Sequence, residues 1–536
     1  MTNQSPDSPA AKGKSQMGSK AAARGRYILS IDQGTTGTTV NILHPKGEAV
    51  ARINEEFKQI FPKPGWVEHK PEDIWKSVLS TIKAALKKAR IKGTDIAAIG
   101  ITNQRETVVI WERKTDRPIH NAIVWQDRRT SLECERWKEE GHGAMIREKT
   151  GLVIDPYFSA SKFAWLLDHV ARARDKAESG ALAAGTIDTF LLWRLTGGKT
   201  HKTDVSNASR TQLMNLTNGD WDDDLLKFFR IPRALLPEIC DSSGFFGETK
   251  GLGILPDGIP ITGIAGDQQA ALFGQTCFDE GEAKCTFGTG SFLLMNTGAR
   301  RVNSTSGLLT TAAWRLKGQK EITYALEGGA FICGAAVQFL RDQLGFVKTS
   351  KEIEKLASQV KDAGGVEFVP ALTGLGAPHW DPFARGLICG LTRGSTRAHI
   401  ARATLEAMAL QNTEILLAMQ RDLKSDLGAQ SKEGGGQDLR RALRSVRVDG
   451  GAAANSLLMQ IQADYLGADV VRPKMIETTS AGAAYLAALG VGLFDDVNDI
   501  KKIWKIDRTF RAKLDDSGRE VRLARWALAV KRAMVK

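Results

Sequence analysis

The block Asn103-Gln104-Arg105-Glu106-Thr107 sets a full cation and a full anion between two apolar runs, Ile96–Thr102 and Thr107–Trp111. Both runs are rich in Ile and Val and too brief for helices, so they predict buried strands. The simplest connection is a solvated hairpin tip, since loops between strands are usually polar. Tight tips favour Gly, Asn or Asp at their bends, however, and Gln104, Arg105 and Glu106 supply none of these. These side chains are therefore expected to be selected for what they touch. An Arg fork of donors beside a carboxylate acceptor suits a neutral, hydroxyl-rich ligand.

A chain of 536 residues exceeds one ordinary hydrophobic core, so two or more domains are expected. Its 42% hydrophobic and 25% charged residues are those of a globular protein that works in water. Net charge is +13 and the isoelectric point near 9.4, but the basic residues alternate with acids and form no block. A mild preference for anionic ligands follows, and no nucleic-acid partner is expected. No apolar run is long enough to span a bilayer, so no transmembrane segment is expected. The cysteines, Cys134, Cys240, Cys277, Cys285, Cys333 and Cys389, are scattered without CxxC spacing or an adjacent His. This predicts neither a disulfide framework nor a zinc site, and it favours a reducing, cytoplasmic setting. Residues 1–26 are rich in Ser, Ala, Gly and Lys without an apolar centre, and read as a disordered tail. Their basic, acid-poor composition also matches an organelle transit peptide.

Ordered structure is expected from Tyr27. Tyr27–Ile31 predicts a strand, Asp32–Thr39 a Gly/Thr loop, Val40–Leu43 a second strand, and His44–Gly47 a turn. Ile74, Val78, Ile82 and Leu86 share one face of a helix over Pro71–Arg90. Strands and helices go on alternating to about Gly274, which argues for an α/β domain. A similar unit then begins: Glu282–Thr286 and Phe292–Asn296 flank a second Gly/Thr loop, Phe287-Gly288-Thr289-Gly290-Ser291. Later, Ser445–Val448 leads into Asp449-Gly450-Gly451 and, past Asn455, an apolar helix. Two such hairpins, each opening an α/β unit, suggest a duplicated architecture with a cleft between the halves. Lys432-Glu433-Gly434-Gly435-Gly436 reads as a flexible surface insertion, and the chain from Trp504 as helical.

Three segments are candidates for chemistry. The glycines of Asp32–Thr39 allow close backbone approach to an anion and its threonines add hydroxyl donors, as phosphate binding requires. There is no Lys as in a Walker loop, and a strand rather than a helix follows. Asp32 next to phosphates makes sense if a divalent cation neutralises the repulsion. In Ile261–Ala270 a strand ends at Gly266 and a helix begins at Asp267-Gln268-Gln269. Asp267 could be only a helix N-cap; its place at a strand's carboxyl edge is also where open α/β sheets hold ligands. Trp125 and Pro156-Tyr157-Phe158 could line a pocket or be core aromatics. The eight His residues are dispersed, and no Ser has an adjacent His for a nucleophile–base pair.

Asp32–Thr36, Pro64–His69, Asn103–Thr107, Tyr157 with Lys162 and Trp165, Gly266–Gln269, Gly288-Thr289-Gly290, and Gly386 through Glu406 occur in an order that resembles the FGGY family of carbohydrate kinases. The resemblance runs from about residue 27 to the end. Arg105-Glu106 and Pro64–His69 resemble the members that phosphorylate glycerol rather than pentuloses or gluconate. The resemblance implies an α/β fold of two ribonuclease-H-like domains, of the actin/hexokinase-type ATPase kind, with the site in the interdomain cleft. The corresponding division is a tail over 1–26, a glycerol-binding domain over 27–276 and a nucleotide-binding domain over 277–536. It implies phosphorylation of glycerol to sn-glycerol 3-phosphate, with ATP and Mg²⁺ as cofactors. Arg105, Glu106, Tyr157, Asp267 and Gln268 would bind hydroxyls, with Trp125 and Phe292 against the carbons and Asp267 as general base. Asp32, Thr35, Thr36, Gly288 and Thr289 would lie at the phosphates, Gly334, Gln338, Gly451 and Asn455 around the nucleotide, and Asp32 and Asp267 at the metal. A homo-oligomer, dimer or tetramer, is expected. Members inhibited by fructose 1,6-bisphosphate carry a Gly-rich loop with an Arg before the catalytic Asp; Glu248–Asp257 has no Arg. The alternatives are a kinase of another polyol or ketose, and a nucleotide-driven conformational switch.

Overall fold

The computed structural model describes residues 26–431, 443 and 445–534. The expectations for the tail and for the insertion at Lys432–Gly436 lie outside the described residues, except for the tail's last residue. In the first half, β1 (Tyr27–Gln33), β2 (Gly37–Leu43) and β3 (Ala49–Glu56) form an antiparallel meander. The tip between β1 and β2 is much shorter than the loop expected over Asp32–Thr39. Asp32 and Gln33 complete β1, and Thr38 and Thr39 are buried in β2, where Thr38 Oγ1 shares a hydrogen bond of 2.7 Å with Ser77 Oγ. After the two-residue β4 (Glu68–His69), helix α1 (Pro71–Ala89) starts with Pro in its first turn, where the missing N–H costs nothing. It buries Ile74, Val78, Ile82 and Leu86 on β2 and β3, and ends at Arg90 in the left-handed region, φ 56°.

Next, β5 (Ile96–Asn103) pairs parallel with β1. The following strand, β6 (Val108–Glu112), does not return beside it. It joins a separate four-stranded sheet with β4, β7 (Ala122–Ile123) and β8 (Leu182–Thr186), which comes after helix α2 (Ser159–His169). Hence Asn103–Thr107 is not a hairpin tip but a buried crossing between two sheets. β9 (Ser243–Glu248) and β10 (Pro260–Gly266) complete a six-stranded sheet of order β9-β10-β5-β1-β2-β3, with β10 parallel to β5. β10 runs into α3 (Asp267–Gly274).

The second half repeats this plan. β11 (Ala283–Phe287) and β12 (Ser291–Gly298) form the second Gly/Thr hairpin, and β13 (Leu309–Trp314) and β14 (Thr323–Ala330) extend it. Past helices α4 (Gly334–Asp342) and α5 (Arg397–Ser431), β15 (Ser445–Asp449) pairs parallel with β11. Helix α6 (Ser456–Leu466) then leads to β16 (Asp469–Pro473), parallel to β15. Helix α7 (Thr478–Gly490) precedes the edge strand β17 (Ile506–Phe510) and helix α8 (Asp516–Met534). The expectation of helix from Trp504 thus fails over Ile506–Phe510, whose consecutive polar residues Asp507, Arg508 and Thr509 suit a solvated edge. The seven-stranded order is β13-β14-β12-β11-β15-β16-β17. Without β13, an extra edge strand, its pairings match those of the first sheet strand for strand, so the duplicated α/β reading holds at the level of topology.

Helix α7 crosses back onto the first sheet, packing over β1, β5 and β10 and against α3. The approach depends on absent side chains. A Cβ on Gly100 would stand 2.2 Å from the Ala483 carbonyl oxygen, and one on Gly482 1.8 Å from that of Ala270. Ser30 Oγ and Thr262 Oγ1 donate to the Ser480 and Ala487 carbonyls at 2.7 and 2.8 Å, so the buried helix keeps its polar groups paired. Gly100→Val is expected to lower unfolding free energy by about 2–3 kcal/mol, because overpacked cores must shift backbone. Urea unfolding checks this, and a wild-type midpoint would exclude the close approach.

Candidate active site

In register, β1, β5 and β10 end together: Gln33 faces Asn103, and Asn103 faces Gly266. That common carboxyl edge puts Asp32, Arg105 and Asp267 beside one another, at the point where open α/β sheets bind ligands. Gln104, Arg105 and Glu106 are only 1%, 3% and 1% exposed. Glu106 adopts φ 62°, a left-handed conformation that only surrounding structure can impose on a non-glycine residue.

A buried guanidinium requires partners, and Arg105 finds them across the boundary between the halves. Its Nη1 and Nη2 donate to Glu327 Oε2 and Oε1 at 2.6 and 2.9 Å, a bidentate fork onto β14. Nη1 also donates to Gln269 Oε1 at 3.3 Å, and Nε stands 3.1 Å from Asp267 Oδ1. The longest of these contacts is the Nη2 hydrogen directed at Tyr157 Oη, 3.5 Å away. The Arg105 fork is thus engaged by Glu327, a partner that the sequence reading did not anticipate. Arg210 completes the cluster, donating from Nε to Glu106 Oε1 at 2.7 Å and from Nη2 to Glu327 Oε1 at 3.2 Å. Burial would raise the Glu327 carboxyl, but the two arginines outweigh it and hold it down at about 2. The cluster has two cations and two anions, so the burial of each charge is compensated.

Asp267 is the first residue of α3, and the N-cap is Gly266, so the capping role considered for Asp267 is not what the structure gives it. Its Oδ1 accepts from the Gln268 N–H at 2.7 Å and pairs with Arg105, while its side chain stays 30% exposed. Oδ2 makes no hydrogen bond among the described residues. Burial pushes the Asp267 carboxyl up, against the opposing pull of Arg105 and Lys284. Asp32 is pushed up to about 7 by burial, with Asp267 and Glu477 adding to the effect, although Ser480 Oγ donates to it at 3.3 Å.

The aromatic side chains converge beside these polar groups. Trp125 meets Tyr157 edge to face at 5.5 Å and Phe292 at 6.5 Å between ring centroids, and its Nε1 donates to Thr35 Oγ1 at 2.9 Å. Phe292 comes from β12, so both halves contribute to this wall. Lys162, fully buried on α2, donates to the carbonyls of Pro156, Tyr157 and Phe158 at 2.8, 2.7 and 2.6 Å, which fixes the loop presenting Tyr157.

On the second sheet, Gly334 N–H donates to the Gly288 carbonyl at 2.9 Å, and the Thr289 carbonyl accepts from Cys333 and Ala335. A Cβ on Gly450 would meet the Phe287 carbonyl at 2.6 Å, which places the turn after β15 against the Gly288-Thr289 hairpin. Gly451 faces open space there. Asn455 Oδ1 accepts from Leu458 N at 2.9 Å and so caps α6; Gln338 is exposed on α4. For Thr36 the recorded bond is its carbonyl accepting from Phe57 N at 3.2 Å, behind the hairpin. Arg210, Glu327 and Lys284 belong to this region and were not anticipated. Glu327 and Lys284 are single charges inside apolar strands, Thr323–Ala330 and Ala283–Phe287, and that oddity was the available signal.

The FGGY family of carbohydrate kinases, N-terminal domain, matches residues 27–274, and the C-terminal domain of the same family matches 283–491. A glycerol kinase of Bdellovibrio bacteriovorus is 61% identical, with 94% of this chain and 99% of the relative covered. A glycerol kinase of Myxococcus xanthus is 54% identical, with 95% of this chain and 100% of the relative covered. Among solved structures, Plasmodium falciparum glycerol kinase with ADP superposes with a TM-score of 0.86 at 37% identity, covering 95% of this chain and 98% of that one. Lactobacillus acidophilus gluconate kinase, at 22% identity over 94% of this chain and 97% of that one, has the same fold with a TM-score of 0.81. With both of its domains matched in order, the chain belongs to the FGGY family of carbohydrate kinases.

Proposed function

We propose that the chain transfers the γ-phosphoryl group of ATP to a terminal hydroxyl of glycerol, giving sn-glycerol 3-phosphate and ADP, the entry reaction of glycerol catabolism. The observation that carries this reading is the convergence of Arg105, Glu106, Asp267 and Gln268 with the Trp125–Tyr157–Phe292 wall at one strand edge. A three-carbon triol needs hydroxyl partners on one side and an apolar surface on the other, and this site offers both. The glycerol kinases of high identity over nearly the whole chain support the same substrate, and the ADP bound to a relative supports the nucleotide.

Arg105 Nη2 and the Gln268 amide donate to substrate hydroxyl oxygens, and the Glu106 carboxylate accepts from a hydroxyl. Asp267 Oδ2 accepts the proton of the attacking hydroxyl; its raised basicity suits that task. Thr35, Thr36, Gly288 and Thr289 present hydroxyl and backbone donors to the phosphates, with Gly334, Gln338, Gly451 and Asn455 around the rest of the nucleotide. Because phosphoryl transfer rests mainly on positioning and charge neutralisation, these donors carry much of the catalysis. Mg²⁺ takes few protein carboxylates and otherwise waters and substrate phosphates, so the absence of a three-ligand cluster among the described residues agrees with it. Asp32 and Asp267 fit such an ion, since burial and mutual repulsion leave Asp32 in need of a cation. When bound, Mg²⁺ neutralises charge on the phosphoryl oxygens. No helix among the described residues is long and apolar enough to cross a membrane. All six cysteines are free, which supports a reducing, cytoplasmic setting.

Purified protein with Mg²⁺-ATP is expected to release ADP in saturable dependence on glycerol. Turnover of erythritol, dihydroxyacetone, xylulose or gluconate without turnover of glycerol would reassign the substrate, and glycerol-independent hydrolysis would indicate a nucleotide switch. Asp267→Asn is expected to lower kcat by about 10²–10⁴-fold with the melting temperature retained, as loss of a general base does. Near-normal kcat in that variant excludes Asp267 as the base. Tyr157→Phe is expected to raise the glycerol KM about five- to tenfold while the ATP KM stays put, the effect of one lost hydrogen bond. Equal changes in both constants would remove Tyr157 from the glycerol site.

A further inference from the structure

Lys284 is a fully buried cation in β11, and its bonds reach across the boundary between the halves. Its Nζ donates to Gln268 Oε1 at the start of α3 and to Thr286 Oγ1 at 2.9 Å, and it stands 3.4 Å from the Phe292 carbonyl. An ammonium has three donors and no acceptor, so the Gln268 atom that faces it has to be the carbonyl oxygen. The Gln268 amide nitrogen is thereby turned the other way, and it makes no hydrogen bond among the described residues. Gln268 sits beside Asp267, whose side chain is 30% exposed and whose Oδ2 makes no hydrogen bond among the described residues.

We infer that Lys284 is a positioning residue that locks Gln268 with its N–H donors toward the substrate, so that this place in the site selects a hydroxyl oxygen. The inference deepens the glycerol kinase reading above and rests on it. A glutamine side chain is nearly symmetric in shape, so packing alone cannot tell its oxygen from its nitrogen; a neighbour that can only donate does. Lys284 thus decides the polarity of a contact made by the other half of the chain. It also ties recognition of the substrate to the seating of β11 and β12 against α3. A lysine that served only to join the halves would act equally on both substrates and independently of Gln268.

The test is a cycle of Lys284→Met, Gln268→Ala and the double variant, read as glycerol and ATP KM in the full-length enzyme. Methionine keeps the length of the side chain, and Lys284's partners are neutral oxygens, so removing the cation strands no buried countercharge in a direct bond. Lys284→Met is expected to raise the glycerol KM about tenfold, with the ATP KM within about twofold, because a substrate hydroxyl loses its oriented donor. The double variant is expected to match Gln268→Ala alone. Lys284→Gln, which retains a donor, is expected to fall between wild type and Lys284→Met, and it serves the same cycle if Lys284→Met does not fold. Multiplying effects in the double variant, equal rises in both KM values, or an unchanged glycerol KM would each overturn the inference. Wild-type enzyme without glycerol-dependent turnover would overturn the functional reading and the inference together. Wild-type turnover with unaltered Lys284→Met kinetics overturns the inference alone.

Discussion

The rest of the site depends on four buried charges that compensate one another: Arg105, Arg210, Glu106 and Glu327. Ions taken out of water are costly unless paired and hydrogen-bonded, so each arginine is confined by both glutamates and each glutamate by both arginines. Glu327 is the member that belongs to the second sheet; Arg105, Glu106 and Arg210 lie in the first half of the chain. The atoms that we propose for the substrate, one Arg105 hydrogen and one Glu106 oxygen, are what the cluster leaves over. A pocket built this way holds the geometry of its donors before any ligand arrives, which is what differential binding of a small triol and its transition state requires.

Around this cluster the duplicated topology does the coarse positioning. In each half, an antiparallel hairpin opens the sheet and parallel neighbours end beside its tip, so hairpin-tip backbone and strand-end carboxylates come to one edge. Helix α7 ties the arrangement together, because it lies in sequence between β16 and β17 of the second sheet and packs on the first. Ser480 on that helix contacts both Ser30 and Asp32. The carboxylate assigned to the metal is therefore held partly by residues from the far end of the chain.

Much of this was legible in the residues, for physical reasons that can be named. The α1 face, the β11–β12 hairpin and the strand-to-helix turn at Gly266-Asp267 are local patterns of period and turn chemistry, and each appears where expected. The argument against a solvated tip at Asn103–Thr107 was also available, since its residues lack turn chemistry. Its setting was not, because two short strands with a brief link look alike whether they pair with each other or join different sheets. The partners of Arg105 were hidden for a similar reason: Glu327 is 222 residues away in sequence, and no spacing rule reports such a contact. That the Arg105 fork must be paired within the protein follows from its burial, a constraint that becomes visible only once burial is known. Ile506–Phe510 was misread because a short edge strand with three consecutive polar residues carries little of the apolar signal that marks a buried strand.

The central claim is that charges from both halves set the glycerol-binding geometry. Its most direct measurement is calorimetric binding of glycerol to wild type and Glu327→Gln, with circular dichroism to establish that both are folded. Glutamine keeps the shape and one acceptor of Glu327 but removes the charge that holds the two arginines. The account predicts a folded variant whose affinity for glycerol falls by about tenfold or more, the scale of a lost charge-assisted hydrogen bond. A folded variant with wild-type affinity would contradict it, and would leave the substrate site to the first half of the chain alone.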